Sequence, residues 1–348
     1  MSIYLAFLAN GTSGTLDVCS IVCLFHAGDT TRWRHHRNHT KKSLTMNHFY
    51  LRAKISLALT FAVFGVKAEV SYIPIQFRTV SGIRPFVQAS LNGKQLFFMV
   101  HSETDFYVMT NHANASIAGA KNLVKTTSFG ISAPGHVDNR GRAETTIGEL
   151  TVGSSRSREV PLSVFETMQD PPMDGMLGVK WLQQQKVIVD FDKDRLGTSS
   201  NIEDNIEEDR RLVASDFVGH RMSRGDDGSY LVEGNLNGHA GSFRVSTVGY
   251  NVIDTTFAAN KKIPTGPIVD SFDGPKGAQG SVYLSKAQVS IAIEGQPTAP
   301  AQPSMWDEVA YGSGKTKTRE SVTLGADFML ANRAVLDFGT ATLFLPRM

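Results

Sequence analysis

Two stretches of this sequence repeat one pattern 145 residues apart, and this repetition limits the fold more than any other feature. Residues 84–100 alternate apolar side chains, turn at Asn92-Gly93 and return through an apolar run. Residues 230–245 do the same around Asn237-Gly238. Alternation on either side of an Asn-Gly turn predicts a β-hairpin. The chain is therefore expected to contain the same hairpin twice.

A second repeated pattern closes each half of the chain. Residues 173–196 and 322–343 both place Leu-Gly before a short amphipathic segment, followed by an apolar strand and an Asp-Phe pair. Two shared patterns in the same order indicate internal duplication. We therefore predict two strand-rich lobes, at 69–197 and 229–348. The polar, acidic residues 198–228 are interpreted as a linker between the lobes, with a docking segment as the alternative.

The N-terminal residues have the features of a targeting segment. Residues 46–68 begin with basic Arg52 and Lys54, continue with a run of about a dozen apolar residues, and end at the small residue Ala68. This run is shorter than the ~20 residues that span a bilayer, which favours a cleaved signal peptide over a membrane anchor. We predict export to the periplasm or beyond, with cleavage near Ala68. Residues 1–45 are then an upstream extension that is not part of the native protein.

The predicted mature chain has few features of other protein classes. Both cysteines, Cys19 and Cys23, precede residue 69, and their spacing lacks the register of a zinc module. Its 27 Lys and Arg nearly balance 31 Asp and Glu, so no basic field predicts nucleic-acid binding. Scattered histidines predict no metal site. We expect no cofactor and no membrane span in the mature chain, and the sequence does not specify an oligomeric state.

The repeated unit resembles the aspartic peptidase superfamily, in particular its bacterial pepsin-like and retropepsin-like members. In each unit a hairpin leads through a strand into a short loop, and an apolar-apolar-Gly element precedes the final strand. Met176-Leu177-Gly178 and Thr323-Leu324-Gly325 match that element. The resemblance extends from about Phe86 to Leu345. It implies an all-β, bilobal double β-barrel with a pseudo-twofold duplication and a cleft between the lobes.

The two loops that would carry the catalytic aspartates depart from the family pattern. The aligned positions are His101 and Ser246, so both carboxylates are replaced. The family's following glycine is replaced by Glu103 in the first loop and by Val248 in the second. The residue between these two positions keeps a side-chain hydroxyl in both loops.

That hydroxyl belongs to Ser102 in the first loop and to Thr247 in the second. The resemblance implies that the two residues form a hydrogen-bonded grip between the lobes.

Other acids are poorly placed to replace the pair. Asp105 and Asp254 follow the aligned positions by four and eight residues, and Asp190 and Asp337 begin turns where a structural role is expected. Aspartic catalysis needs two carboxylates that share a proton. We therefore favour a protein without catalytic activity.

The resulting functional prediction is an exported, inactive homologue that binds an extended peptide or protein segment in its cleft. Ser102, Glu103 and Thr247 are the predicted binding residues, together with Gly135 at the tip of a possible flap within residues 129–140.

Three alternatives stay open at this stage. The first is an active aspartic endopeptidase. The second is a structural or assembly protein of the cell envelope, which would make contacts through the insertion at residues 294–320. The third is a hydrolase in which His101 activates Ser246.

Overall fold

A computed structural model describes residues 69–79, 82–127, 131–133, 136–167, 173–226, 228–273, 279–307 and 322–347. The predicted upstream extension, the predicted signal peptide and Gly135 lie outside the described residues. Among the residues that are described, none of the helices is both long enough and apolar enough to cross a membrane.

Most of the described chain is β-structure, arranged in four sheets. The first sheet has eight strands in the order β2-β3-β4-β11-β5-β10-β9-β6, with β3 also pairing to β9. Its strands are β2 (Gln76–Thr79), β3 (Ile83–Leu91), β4 (Lys94–His101), β5 (Val108–Thr110), β6 (Val124–Thr127), β9 (Arg142–Val152), β10 (Ser155–Val164) and β11 (Gly175–Gly178).

A ten-stranded sheet is built from the second half of the chain, in the order β19-β20-β23-β18-β24-β17-β16-β21-β22, with β15 on β16. Its strands are β15 (Ser223–Arg224), β16 (Tyr230–Leu236), β17 (His239–Val245), β18 (Val252–Asp254), β19 (Thr265–Asp273), β20 (Gln279–Ser285), β21 (Ile291–Ile293), β22 (Gln296–Pro297), β23 (Ser304–Trp306) and β24 (Val322–Leu324). A separate pair joins β7 (Ile131–Ala133) to β8 (His136–Val137).

A six-stranded sheet combines strands from both halves, in the order β1-β13-β12-β25-β26-β14. They are β1 (Ser71–Pro74), β12 (Ile188–Asp190), β13 (Arg195–Thr198), β14 (Phe217–Arg221), β25 (Val335–Asp337) and β26 (Thr342–Pro346). At its centre β12 runs antiparallel to β25, with Val189 opposite Leu336. A strand from each half of the chain therefore pairs with a strand of the other half at the centre of this sheet.

The helices of the described residues are short, apart from one. They are α1 (His112–Ile117), α2 (Val179–Gln184), α3 (Ile202–Ala214), α4 (Thr255–Asn260) and α5 (Ala326–Ala331). Helix α3 occupies the segment that the sequence analysis interpreted as a polar linker. It begins at the capping residue Asn201, and it buries Asn205, Glu208 and Leu212. One side of this polar segment therefore packs against the protein.

The two predicted hairpins are present with the predicted turns. Strands β3 and β4 pair antiparallel around Asn92-Gly93, and β16 and β17 pair around Asn237-Gly238. All four turn residues have positive φ, the conformation that makes Asn-Gly favourable at such a turn. Each hairpin then sends its second strand into one of the two loops that the sequence analysis singled out.

Candidate functional site

Each site loop follows a strand that is locked in place by a later strand of the same half. The first site loop (101–104) follows β4, and β11 lies between β4 and β5, parallel to the former and antiparallel to the latter. The second site loop (246–249) follows β17, and β24 lies between β17 and β18 in the same way. Both loops therefore leave their sheets from the same topological position.

Gly178 at the end of β11 and Gly325 just before α5 allow the chain to approach these loops closely. A Cβ added at Gly178 would lie 2.2 Å from the Phe106 carbonyl oxygen, and one at Gly325 would lie 2.1 Å from the Tyr250 carbonyl oxygen. Any larger residue would overlap backbone atoms at either position. The predicted apolar-apolar-Gly elements thus pack directly beside the loops.

The two loops are joined by a reciprocal set of buried hydrogen bonds. The Ser102 backbone N–H donates to Thr247 Oγ1 at 3.0 Å, and the Thr247 backbone N–H donates to Ser102 Oγ at 3.0 Å. Thr247 Oγ1 also donates to the Val100 carbonyl at 2.8 Å. Each side chain is thus an acceptor for the other loop's backbone. This is the grip implied by the resemblance.

A carboxylate lies across the second loop, and it belongs to Glu103. Its Oε2 is 3.0 Å from Ser246 Oγ, whose hydroxyl also approaches the Val248 carbonyl at 3.1 Å. Its Oε1 is 3.9 Å from Arg244 Nε on β17. The Glu103 side chain is 27% exposed and that of Arg244 is 12% exposed. Glu103 therefore hydrogen-bonds to the second loop and forms an ion pair with the strand that leads into it.

His101 faces its own loop rather than Ser246. Its Nδ1 accepts the Glu103 backbone N–H at 3.3 Å, and its carbonyl accepts the Thr104 hydroxyl at 3.0 Å. Burial, together with the neighbouring Arg84 guanidinium, lowers the pKa of His101 to about 3. The imidazole is therefore neutral at physiological pH. The Ser246 hydroxyl contacts Glu103 and the Val248 carbonyl, and it does not form the bond to His101 that the hydrolase alternative requires.

Three of the four other acids considered from the sequence have structural positions. Asp254 is fully buried and caps α4, accepting from the Thr256 and Phe257 backbone N–H groups. Asp190 accepts from two backbone N–H groups of its turn, and Asp337 does the same in the corresponding turn. Asp254, Asp190 and Asp337 thus bind backbone groups of their own caps and turns.

Two further predictions concern the surroundings of the loops. Strands β7 and β8 form an antiparallel pair within the predicted flap, on either side of residues 134 and 135. In the insertion, Ser304–Trp306 forms β23, while residues 308–321 lie outside the described part of the chain. Within the described residues, no three His, Cys, Asp or Glu side chains are grouped as metal ligands.

Sequence reasoning did not single out Arg244, and it predicted Glu103 as a binding residue without a partner in the second loop. Arg244 lies two residues before Ser246, on the strand that feeds the second loop. An acid in one loop and an arginine beside the other are a recognisable complementary pair once the loops are assumed to meet. The opposite charges of Glu103 and Arg244 are therefore the feature of the sequence from which this contact could have been predicted.

No protein-family model and no curated protein matches the sequence. Among solved structures, the aspartic proteinase from Irpex lacteus is similar over 80% of this chain and 97% of its own, with 10% identity and a TM-score of 0.45. Conglutin gamma, a basic 7S globulin from lupine seeds, is similar over 80% and 95%, with 13% identity and a TM-score of 0.42. A retropepsin-like aspartic protease from Rickettsia conorii is similar over 38% and 92%, with 20% identity and a TM-score of 0.28.

These neighbours are aspartic-proteinase-like folds. The described residues are mostly β-structure, in agreement with the predicted all-β fold class. Because all three TM-scores are below 0.5, the functional inferences below rest on the chain's own loops and contacts.

Proposed function

We propose that this chain is an exported, catalytically inactive aspartic-peptidase-like protein that binds an extended peptide or protein segment in a cleft between two lobes. The supporting observation is the contact between Glu103 and Ser246. Aspartic peptidase chemistry requires two carboxylates from opposite loops that share one proton and activate a water molecule. In this chain the Glu103 carboxylate accepts a hydrogen bond from the Ser246 hydroxyl and lies beside Arg244.

The preserved grip supports a binding role. Ser102 and Thr247 keep the two loops together although the residues beside them are changed. Two site loops that are held together and have no catalytic pair suit a protein that binds a ligand without cleaving it. An extended segment suits such a cleft, because main-chain hydrogen bonds provide affinity and side-chain pockets provide selectivity.

Export is proposed from residues 46–68, and its test is independent of the binding test. The full chain should be expressed in a bacterial host and recovered from the periplasm or the medium, and its first residues should be sequenced. A mature N-terminus at residue 69 is expected. Recovery of the intact chain from the membrane fraction would support an anchor instead.

Peptide binding is tested with the chain from residue 69 onward and a library of extended peptides displayed on phage. Selected peptides should bind the unmodified protein in fluorescence anisotropy, and His101→Trp should weaken binding at least tenfold because it adds a bulky ring to the first loop. Glu207→Gln, on the exposed side of α3, is the matched control and should leave binding unchanged.

Two results would contradict this function. Proteolysis of the selected peptides at acid pH, lost in Glu103→Gln, would indicate an active peptidase. Binding that survives His101→Trp and is lost on deletion of residues 308–321 would indicate an assembly protein that uses its insertion.

A further inference from the structure

A pocket of about 300 Å³ lies at a gap in the eight-stranded sheet. One edge of β3 pairs with β4 from Phe86 to Leu91. The other edge pairs with β2 as far as Phe86, and with β9 only from Ser90 onward. The three residues between these points span about 10 Å of strand. In the part of the chain that the structure describes, no strand lies beside them on this edge.

The gap has a local cause at each end. Only Ile75 separates β1 from β2, but β1 ends at Pro74 and pairs with β13 in the six-stranded sheet. The chain therefore changes sheets at Ile75, whose N–H donates to the Asp194 carbonyl. At the other end β9 stops at Val152, because residues 153–154 turn into β10. Neither neighbour therefore continues along the middle of β3.

The backbone of Gln88 faces this gap. In an antiparallel ladder, the N–H and C=O of one residue point to the same side, and the side alternates along the strand. Gln88 lies opposite Phe97 of β4, but the Phe97 N–H donates away from β3, to Asp174 Oδ2 at 2.8 Å. The Gln88 N–H and C=O therefore point away from β4. They form half of a hydrogen-bonded strand pair, at the wall of the pocket.

The walls of the pocket suit an uncharged peptide unit. Gln76, Gln88 and Gln95 contribute side-chain amides, and Phe97 contributes an apolar ring. None of the described residues that line the pocket is charged. Amides offer both donors and acceptors, as a peptide unit requires. An extended ligand residue opposite Gln88 would complete the strand pair with its own N–H and C=O.

A cation lies next to this uncharged pocket. The half-buried Arg78 of β2 places its guanidinium carbon 4.6 Å from the ring centre of Phe97 and 4.6 Å from that of Phe86. Among the residues that the structure describes, Arg78 has no hydrogen-bond or ion-pair partner. A guanidinium that packs on aromatic rings keeps its N–H donors for a carboxylate, which it binds in a bidentate manner.

The direction of the strands decides which end of a ligand meets Arg78. Both β2 and β9 run antiparallel to β3, and a ligand between them is expected to do the same. The carboxyl side of a ligand residue opposite Gln88 then points toward β2 and Arg78. Because β2 occupies the continuation of this edge, the ligand has to end there. On its amino side it leaves the sheet at the exposed turn of residues 153–154.

We propose that this pocket binds the C-terminus of a polypeptide. The terminal carboxylate pairs with Arg78, and the residue before it forms the strand pair with Gln88. The site does not involve the two site loops, so it is independent of the function proposed above.

The test compares free and amidated C-termini. The full chain is used to select ligands from a random heptapeptide library with free C-termini, and each selected peptide is also made as its C-terminal amide. In fluorescence anisotropy the free acids should bind about tenfold more tightly or better, because the amide forms no ion pair with Arg78. Arg78→Gln should remove this preference. Arg210→Gln, which removes an exposed arginine of α3, is the matched control and should keep it.

NMR of the unmodified protein keeps the test decisive if Arg78→Gln does not fold. The free-acid peptides should shift the Gln88 backbone amide signal and slow its hydrogen exchange about tenfold, because its N–H gains an acceptor. The amide signals of residues 101–104 should not move. Binding that perturbs residues 101–104 and not Gln88 would overturn the proposal. Equal affinity for the acid and amide forms, or a library that yields no ligand, would also overturn it.

Discussion

The Glu103 carboxylate and the Ser246 hydroxyl, from loops 143 residues apart, lie within 3.0 Å of each other. This contact joins one carboxylate to a hydroxyl, whereas aspartic peptidase chemistry uses two carboxylates. The contact satisfies both groups, and Arg244 further balances the charge of Glu103. The Glu103 carboxylate is therefore stabilised in its ionised form, and it does not need to share a proton with a second carboxylate.

Replacing the serine by a second acid should restore that need. We expect Ser246→Asp to lower the free energy of unfolding at pH 7.5 by about 3 kcal/mol, because it places a second carboxylate in a buried position against Glu103. Protonation below pH 5 should return part of this loss. Urea unfolding of Ser246→Asp and of the neutral control Ser246→Asn, at pH 4.5 and 7.5, measures the difference. Equal pH dependence in the two variants would contradict the contact.

The grip between the loops should contribute more than an ordinary surface contact. Thr247→Val keeps the shape of the side chain but leaves the Ser102 N–H and the Val100 carbonyl without their partner. We expect a loss of about 2 kcal/mol in the free energy of unfolding, since both groups are buried.

The matched control is Thr247→Ser, which keeps the hydroxyl and should lose less than half as much. Chemical denaturation at pH 7 separates the two variants. An equal loss in both would mean that the methyl group, not the grip, supports the loops.

Local chemistry explains which features could be predicted from the sequence. Asn92-Gly93 and Asn237-Gly238 fix their turns through backbone conformations that few other residue pairs adopt, so the hairpins needed no tertiary information. The grip of Ser102 and Thr247 was predicted because a short motif survived in both loops. The resemblance then supplied their spatial relationship.

Contacts that depend on how distant segments dock could not be read in this way. The charge of residues 198–228 predicts a polar linker, yet α3 places Asn205 against Asp337, more than 125 residues away. The Glu103–Arg244 pair was missed for the same reason. The polar composition of a segment indicates that it prefers water. Only the folded structure shows which protein groups replace that water.

The glycines beside the loops give a third prediction. Gly178→Ala and Gly325→Ala should each lower the free energy of unfolding by more than about 3 kcal/mol, because the added methyl would meet a carbonyl oxygen at 2.2 and 2.1 Å. Gly241→Ala on β17 is the matched control, since its nearest contact would be an ordinary 3.4 Å to a Phe243 ring atom. Thermal and urea unfolding measure all three. A loss in Gly241→Ala as large as in the other two would show that strand glycines are generally sensitive and that close approach is not the cause.

His101 should make the protein less stable as the pH falls. An unfolded histidine gains a proton near pH 6.5, whereas folded His101 gains one only near pH 3. Between these values the unfolded chain binds a proton that the folded chain does not, so the free energy of unfolding falls as the pH is lowered.

His101→Gln should therefore flatten the acid side of the stability curve by about one proton between pH 6 and pH 4. In NMR titrations the His101 ring signals should stay unchanged from pH 8 to about pH 4. Arg84→Gln should raise the pKa of His101, because it removes a positive charge, but not to 6.5, because burial is the larger cause. A His101 signal that titrates near pH 6.5 in the unmodified protein would show that the imidazole is solvated and can carry charge at the centre of the site.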